Sequence, residues 1–472
     1  MGSEAPTSVS IIICTRNRVE ALERTLESVR QLSIPPNTEV ELIVVDNGST
    51  DGTAPMLEQL EIPALTVRVV QEATPGVARA RNAGLQEASG EILMFTDDDT
   101  RLPENWISAM CDPILSGRTD AVAGCIALAP ELERPWMKRP HRAVLASTDL
   151  LDLDDPQEMF GASMAFARRV LEKVPSFDEE LGPGTPVGGM EDSLFSWQLK
   201  EAGFRLVACT DAVVEHRPDA SRLSRSSFIA AAGQYARSLA YINYHWSHTR
   251  PRALEKIRNP WLNLAYHRTR LHLLRWKCRL TIGKPRSEGI PLWEFAALQH
   301  IERVRQYQRE RGGVRNYDRR ALVKRDRGRL DAERGLIADF KPLSPAAKLK
   351  LVLEILIEYG PTWRILRTQN VVDMVRAARV VSVTRSSGPP ALEHRAALRL
   401  GRAVNRTLRL LPTDSRCLIQ SLVLTRLLAR RSIPSVLVIG VRHDPEFLAH
   451  AWVEHEGRPV LPAGPYQRLT EI

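Results

Sequence analysis

The sequence predicts an α/β protein in three parts. A Rossmann-like, mostly parallel sheet occupies residues 1–225, a basic helical middle 226–342, and a smaller α+β part 343–472. Three observations carry this reading. Short β-branched runs alternate with helical stretches up to about residue 220, the pattern of a parallel sheet covered on both faces. An Arg-rich stretch without strand signal follows. The final part sets long helical runs before two strands.

Ser10–Cys14, Glu41–Val45, Thr66–Val70 and Ile92–Phe95 read as buried strands, and Arg18–Leu32 and Val77–Ala88 as the helices between them. A helix over SLFSWQLKEAG and a short strand that His216, in VVEHRP, follows complete the first part. In the last part LKLVLEILIEYG and VVDMVRAARVV are helical, and residues 386–390 (SSGPP) form a loop. A helix over Cys417–Arg431 and strands over Ser435–Val441 and His450–His455 close the chain.

Composition excludes several classes. At 472 residues, 43% apolar and 26% charged, the chain is neither fibrous nor wholly disordered. No apolar run approaches the ~20 residues of a membrane helix. MGSEAPTS has no signal-peptide pattern, and Pro6 stands where myristoylation requires Ser or Thr. Six scattered cysteines without a CxxC pair argue against a zinc cluster or disulfide framework and fit a reduced, cytoplasmic setting. The net charge of +9 is concentrated in residues 251–330, where 21 Lys and Arg face seven Asp and Glu. Trp261, Tyr266, Trp276 and Trp293 interleave there at helical spacing. Such a band suits a solvated helical linker or peripheral contact with an anionic membrane at its inner face; nucleic acid is not expected.

Ligands of doubly wound sheets lie beyond the carboxyl ends of the strands. Three polar clusters stand there: Thr15-Arg16-Asn17-Arg18, Asp46 through Gly52, and Thr96-Asp97-Asp98-Asp99. Three consecutive carboxylates repel one another unless a cation is present, and their hard oxygens suit Mg²⁺ or Mn²⁺, with substrate phosphates completing the shell. Asp46 can accept hydrogen bonds from a base or ribose. Arg79 and Arg81 are fixed cations on the helix after Pro75-Gly76, suited to a base or diphosphate.

CTRNR, VVDNGSTDGT, GVARARNAGL, FTDDDTRLPENW and GGMEDSLFSWQLKEAGFRL resemble, as an ordered set, the motifs of family 2 glycosyltransferases of GT-A fold, over about residues 8–220. The resemblance implies that Thr15, Arg16 and Asp46 hold the nucleobase and ribose, and that Arg79, Arg81 and Asn82 help place the nucleotide. It implies that Asp97–Asp99 is the DxD motif, with Asp97 and Asp99 at the metal and Asp98 at the ribose or sugar. Gly161, Ala162 and Ser163 would line the donor-sugar pocket. His216 would join the metal shell, and Glu191 or Asp192 would be the base. A sugar leaving a nucleoside diphosphate puts charge on the β-phosphate, which a dication stabilises. A carboxylate base takes the acceptor proton as the hydroxyl attacks from the opposite face, giving inversion. The QxxRW motif of processive synthases is missing after residue 220, which favours transfer of one sugar.

Cys417 opens a helix, whose dipole favours thiolate, and His450 lies on a later strand. CLIQSLVLTRLLARRSIPSVLVIGVR followed by AHAWVEHEGRPV resembles the transglutaminase-like (papain-like) leader peptidase of lasso-peptide biosynthesis, over about residues 345–472. That resemblance implies Cys417 as nucleophile and His450 as its partner. The family's orienting Asp, about a dozen residues later, is replaced by Pro462, and no Asp follows His450; Glu454 and Glu456 are the substitutes at hand. The expected function is a metal-dependent inverting glycosyltransferase fused to a peptide-handling cysteine domain, in the setting of a peptide natural product. The alternative is a cysteine leader peptidase whose N-terminal half only binds a nucleotide sugar.

Overall fold

A computed structural model describes residues 6–148, 153–251, 259–282, 287–311, 313–326, 344–368, 390–408, 416–442, 448–461 and 467–471. The chain divides into two compact units, Met1–Asp331 and Ala332–Ile472.

The first unit is built on an eight-stranded sheet. Its strands are β1 (Thr7–Thr15), β2 (Thr38–Asp46), β3 (Thr66–Gln71), β4 (Ile92–Asp97), β5 (Thr100–Arg101), β6 (Ala121–Leu128), β7 (Met164–Ala167) and β8 (Leu206–His216), in spatial order 3-2-1-4-7-6-8-5. β1 to β4 pair in parallel; the apolar runs of β1, β2 and β4 are buried as expected, whereas β3, expected to be buried, is the outer strand, carries Arg68 and is largely exposed. Ile11 and Ile13 enter one core layer with Leu22, Leu26, Trp106 and Met110, and Ile12 enters the opposite layer with Ala78, Ala80, Phe195 and Leu199. The helices on these two faces are α1 (Val19–Val29) and α4 (Trp106–Leu115), then α3 (Val77–Glu87) and α6 (Glu191–Glu201); the short α2 (Thr53–Glu58) and α5 (Arg139–Val144) lie in connections. α3 rides close to the sheet, since a Cβ on Gly84 would stand 2.6 Å from Ile12 Cγ2.

The mostly parallel expectation holds on the β1–β4 side and needs amending on the other. β7 runs antiparallel to both β4 and β6, and β5 antiparallel to β8, so the sheet is mixed. β6 and β7 were not among the expected strands; AVAGCIAL and MAFA are Ala-rich, with Val122 and Ile126 their only β-branched residues. Both departures matter for the site. Phe95 pairs with Met164, which sets residues 161–163 beside the end of β4, and Thr100 pairs with His216, which sets the end of β8 beside Asp99.

The basic middle forms α7 (Arg225–His245), α8 (Pro260–Ile282) and α9 (Leu292–Glu310). α7 is capped by the Ser224 side chain, which accepts from Ser227 N. Residues 313–326 return to the sheet domain: the Tyr241 and Tyr317 hydroxyls donate to buried Asp178 at 2.9 and 2.8 Å, and Lys324 pairs with the same carboxylate. No described helix is long and apolar enough to cross a membrane.

The second unit holds α10 (Pro345–Thr368), α11 (Pro390–Leu408) and α12 (Arg416–Ala429), with an antiparallel sheet of β9 (Val436–Arg442), β10 (Leu448–His455), β11 (Arg458–Pro459) and β12 (Gln467–Glu471) in order 11-10-9-12. Its core joins Ile355, Val404, Val423, Leu427, Val438 and Val453. The helical expectation for VVDMVRAARVV and the loop at 386–389 lie outside the described residues.

Candidate active site

The sheet register gathers the first residues of the site. Thr15 pairs with Asp46 and Cys14 with Asp97, so the ends of β1, β2 and β4 form one row. Thr15 Oγ1 donates to Asp98 Oδ2 at 2.8 Å. Buried Asp46 accepts from Ser49 N at 2.9 Å, which tightens the loop after β2. The next loop is held by Asn47, which donates to the Glu72 and Thr74 carbonyls and accepts from Gly76 N. Arg16 is exposed beyond this row.

Asp97, Asp99 and His216 each offer one ligand atom, all within 4.8 Å of one another. His216 Nδ1 lies 2.6 Å from the Leu145 carbonyl, and Nε2 lies 3.1 Å from Asp99 Oδ1. A carbonyl only accepts, so Nδ1 carries a proton and Nε2 is the nitrogen that can turn to a metal. Two carboxylates and an imidazole are donors that fit Mg²⁺ or, better, Mn²⁺. Burial pushes the Asp99 carboxyl up, but His216 and Arg18 outweigh it and hold it down to about 2. Burial prevails at Asp98, which rises to about 6 despite Arg18. His216 is raised: burial lowers it, and the Asp99 carboxylate more than compensates.

Arg18 was not among the expected site residues. Its Nη1 sits 2.8 Å from Asp98 Oδ1 and 2.9 Å from Asp99 Oδ2. The available signal was its place as the last residue of the polar run that follows β1.

Glu191 and Asp192 start α6 and point into different surroundings. Glu191 is buried, its Oε1 2.7 Å from Arg81 Nη1 and its Oε2 without a hydrogen-bond partner. Asp192 is half-buried; its Oδ2 accepts from Gly161 N at 3.1 Å and its Oδ1 from Ser193 N at 2.8 Å. Burial raises both carboxyls, helped at Glu191 by the Asp192 charge, with the Arg81 guanidinium opposing the rise at both.

Several expected nucleotide contacts are engaged inside the protein. Arg81 is buried; besides Glu191 it reaches Asp97 at 3.4 Å and lies 5.7 Å from the Phe177 ring centroid. Asn82 exchanges two hydrogen bonds with the Phe177 backbone, at 3.0 and 2.8 Å. Arg79 pairs with Glu179 at 2.7 Å. The Ser163 hydroxyl is turned inward and accepts from Trp106 Nε1 at 3.1 Å. Gly161 does face the carboxylates, and a Cβ there would stand 1.7 Å from Arg81 Nη2.

The second unit carries the other expected pair. Cys417 is half-buried in the first turn of α12, and His450, on β10 opposite Gly440, lies 6.1 Å from the Trp452 ring centroid. Ser421, one turn after Cys417, donates to the Ala451 carbonyl at 3.0 Å, which sets that helix face against the strand carrying His450. Glu454 is committed elsewhere: it accepts from Trp452 Nε1 at 2.7 Å and from Arg468 at 2.9 Å. Glu456 is exposed in the following turn with φ of 52°. Pro462 lies outside the described residues.

The first unit thus sets an acidic triplet at the switch point of a mixed sheet, and the second sets a cysteine on a helix and a histidine on a strand. Residues 10–174 match the model of glycosyl transferase family 2, and residues 362–472 that of the transglutaminase-like superfamily. The chain therefore joins a family 2 glycosyltransferase domain to a transglutaminase-like domain. Among curated proteins it is similar to glycosyltransferase AglE of Haloferax volcanii, 32% identical over 117 residues, covering 25% of this chain and 38% of that protein. It is also similar to the uncharacterized glycosyltransferase YfnE of Bacillus subtilis, 41% identical over 92 residues, 19% of this chain and 22% of that protein. A third is the succinoglycan biosynthesis protein ExoM of Rhizobium meliloti, 27% identical over 134 residues, 28% of this chain and 42% of that protein. The chain thus spans less than half the length of these relatives. Among solved structures it is similar to the mannosyltransferase PcManGT of Pyrobaculum calidifontis in complex with GDP-Man and Mn²⁺. That likeness has 21% identity and a TM-score of 0.45, over 66% of this chain and 89% of that one.

Proposed function

We propose that the first unit transfers a single sugar from a nucleoside-diphosphate sugar to an acceptor hydroxyl with inversion, using Mg²⁺ or Mn²⁺ held by Asp97, Asp99 and His216. The observation that carries this is the convergence of those three ligand atoms at the end of β4, with the Gly161 turn and Asp192 alongside. A dication there supplies charge neutralisation for the departing diphosphate. Thr15, Arg16 and Asp46 line the nucleoside end of the row. Asp192 is the base: the residue is half-buried and its carboxylate is held only by the Gly161 and Ser193 backbone N–H groups, whereas Glu191 is buried against the Arg81 guanidinium. Burial keeps the Asp192 carboxyl more basic than usual, which favours accepting a proton from a hydroxyl. Glu191 fixes Arg81, and through it Asp97, as a positioning residue.

For the second unit we propose peptide binding through the α12–β10 face, with Cys417 as nucleophile and His450 as its base where cleavage occurs. That no Asp follows His450 in the sequence supports slow cleavage, since loss of the orienting carboxylate costs a triad roughly 10⁴-fold. The fusion points to a peptide acceptor of the kind processed in lasso-peptide assembly. The basic stretch supports peripheral contact with an anionic membrane.

The test is nucleotide release from a panel of nucleotide sugars with Mn²⁺ and peptide acceptors. We expect Asp192→Asn to lower turnover by roughly 10²–10⁴-fold, and Cys417→Ala to leave it unchanged. Failure of every donor in the panel to give nucleotide release, or release that survives Asp192→Asn, overturns the assignment. Loss of transfer in Cys417→Ala favours the peptidase-centred alternative.

A further inference from the structure

We propose that the outer face of α8 is a membrane-docking surface that lies in the interface of an anionic bilayer. This rests on the reading of the basic stretch as membrane-facing and names the surface responsible.

α8 is about 35 Å long at 1.5 Å per residue, and its inward side is already satisfied. Asn263, Leu264 and Leu271 are buried, the two leucines in a core with Tyr244, Ile301 and Val304. Arg275 also reaches Glu294 from α8. The opposite side repeats the apolar pattern in water. Leu262, Tyr266, Leu273, Trp276 and Leu280 are 63, 53, 60, 63 and 67% exposed. With Thr269 they fall at intervals of four and three residues, which places them in one stripe along the helix. Folding of the unit does not require this second stripe.

Charge identifies the occupant. Arg270 and Lys277 border the stripe on one side, and Arg268 and Arg279 lie beyond its other edge; all four are exposed. Residues 260–282 contain no Asp or Glu. An apolar stripe with Trp and Tyr, shouldered by long basic side chains that can snorkel, is the pattern of a helix lying flat at the headgroup level. A second copy docking by the same face would oppose basic shoulders to basic shoulders. Nucleic acid would meet exposed leucines where it needs cations.

The experiment is co-sedimentation of the full chain with phosphatidylcholine vesicles, with and without phosphatidylglycerol, at low and high salt. We expect binding to the anionic vesicles that weakens with salt. Leu273→Glu/Trp276→Glu should weaken it at least about tenfold, and Arg268→Gln or Arg270→Gln by roughly fivefold each. The variants should keep the wild-type melting temperature and nucleotide-sugar turnover with a soluble acceptor. Undiminished binding by the double variant overturns the assignment to α8 while the membrane reading of the basic stretch stands. Failure to bind anionic vesicles even at low salt overturns both. A dimer abolished by the double variant, or RNA binding without vesicle binding, overturns the proposal in favour of those partners. The binding outcomes do not depend on whether sugar transfer is detected.

Discussion

Gly161→Ala should be the most damaging one-methyl substitution near the site. The added Cβ would stand 1.7 Å from Arg81 Nη2 and 2.5 Å from its Cζ, where ordinary contact needs about 3.5 Å. The guanidinium must therefore swing by about 2 Å to reach that separation. It has little freedom to do so, being buried between Glu191 at 2.7 Å and Asp97 at 3.4 Å. Depriving one member of a buried ion pair of its partner costs about 3–5 kcal/mol. Nη1 can keep part of its bond to Glu191, so the low end, about 3 kcal/mol, is expected. The assay is a double-mutant cycle by urea denaturation, following the transition that Arg81→Ala displaces. In the Arg81→Ala background the same methyl should cost under about 0.5 kcal/mol, because the obstacle is gone. Equal costs in the two backgrounds would refute the argument and with it the view of Arg81 as a lock.

Three further outcomes follow from the geometry. Arg18→Gln removes a partly exposed cation from Asp98 and Asp99; with two such pairs worth up to about 1 kcal/mol each, calorimetry should find Mn²⁺ binding tightened several-fold, and weaker binding would contradict the placement of the site. Asn82→Ala removes both bonds to the Phe177 backbone and should lower stability by about 1–3 kcal/mol; a loss within error would show that the loop is held by other contacts. His300 is lowered to about 4 by burial, with His267 and Arg303 adding to it. The unfolded imidazole binds its proton first, so this group's contribution is complete above about pH 6.5 and is lost as pH falls toward 4; His300→Gln should flatten stability across that window, and an unchanged slope would rule the group out.

The parallel half of the sheet was legible because its strands are short runs dominated by apolar residues, β-branched in β1 and β2. The crevice was legible because polar clusters stop those runs at the same level. β6 and β7 were not, since alanine says little about strand or helix, and without them only the family resemblance, not the strand pattern, set Gly161 and His216 near the aspartates. Neighbouring residues at a helix start point about 100° apart, so Glu191 and Asp192 could not be told apart until one was found under Arg81 and the other at the Gly161 turn. Arg81 and Ser163 were read as surface groups of a pocket because sequence does not show which side of a helix or strand meets the core. In the second unit the helix that begins at Cys417 was legible, and the commitment of Glu454 to Trp452 and Arg468 was not.

The pairing of Thr100 with His216 has a consequence for how the protein is made. Asp99 leaves the ribosome 117 residues before the imidazole it meets, and a strand of two residues cannot persist alone. A nascent chain stalled before residue 216 holds the aspartates without the histidine, so the group of Asp97, Asp99 and His216 is complete only once the final strand of the sheet has been laid down.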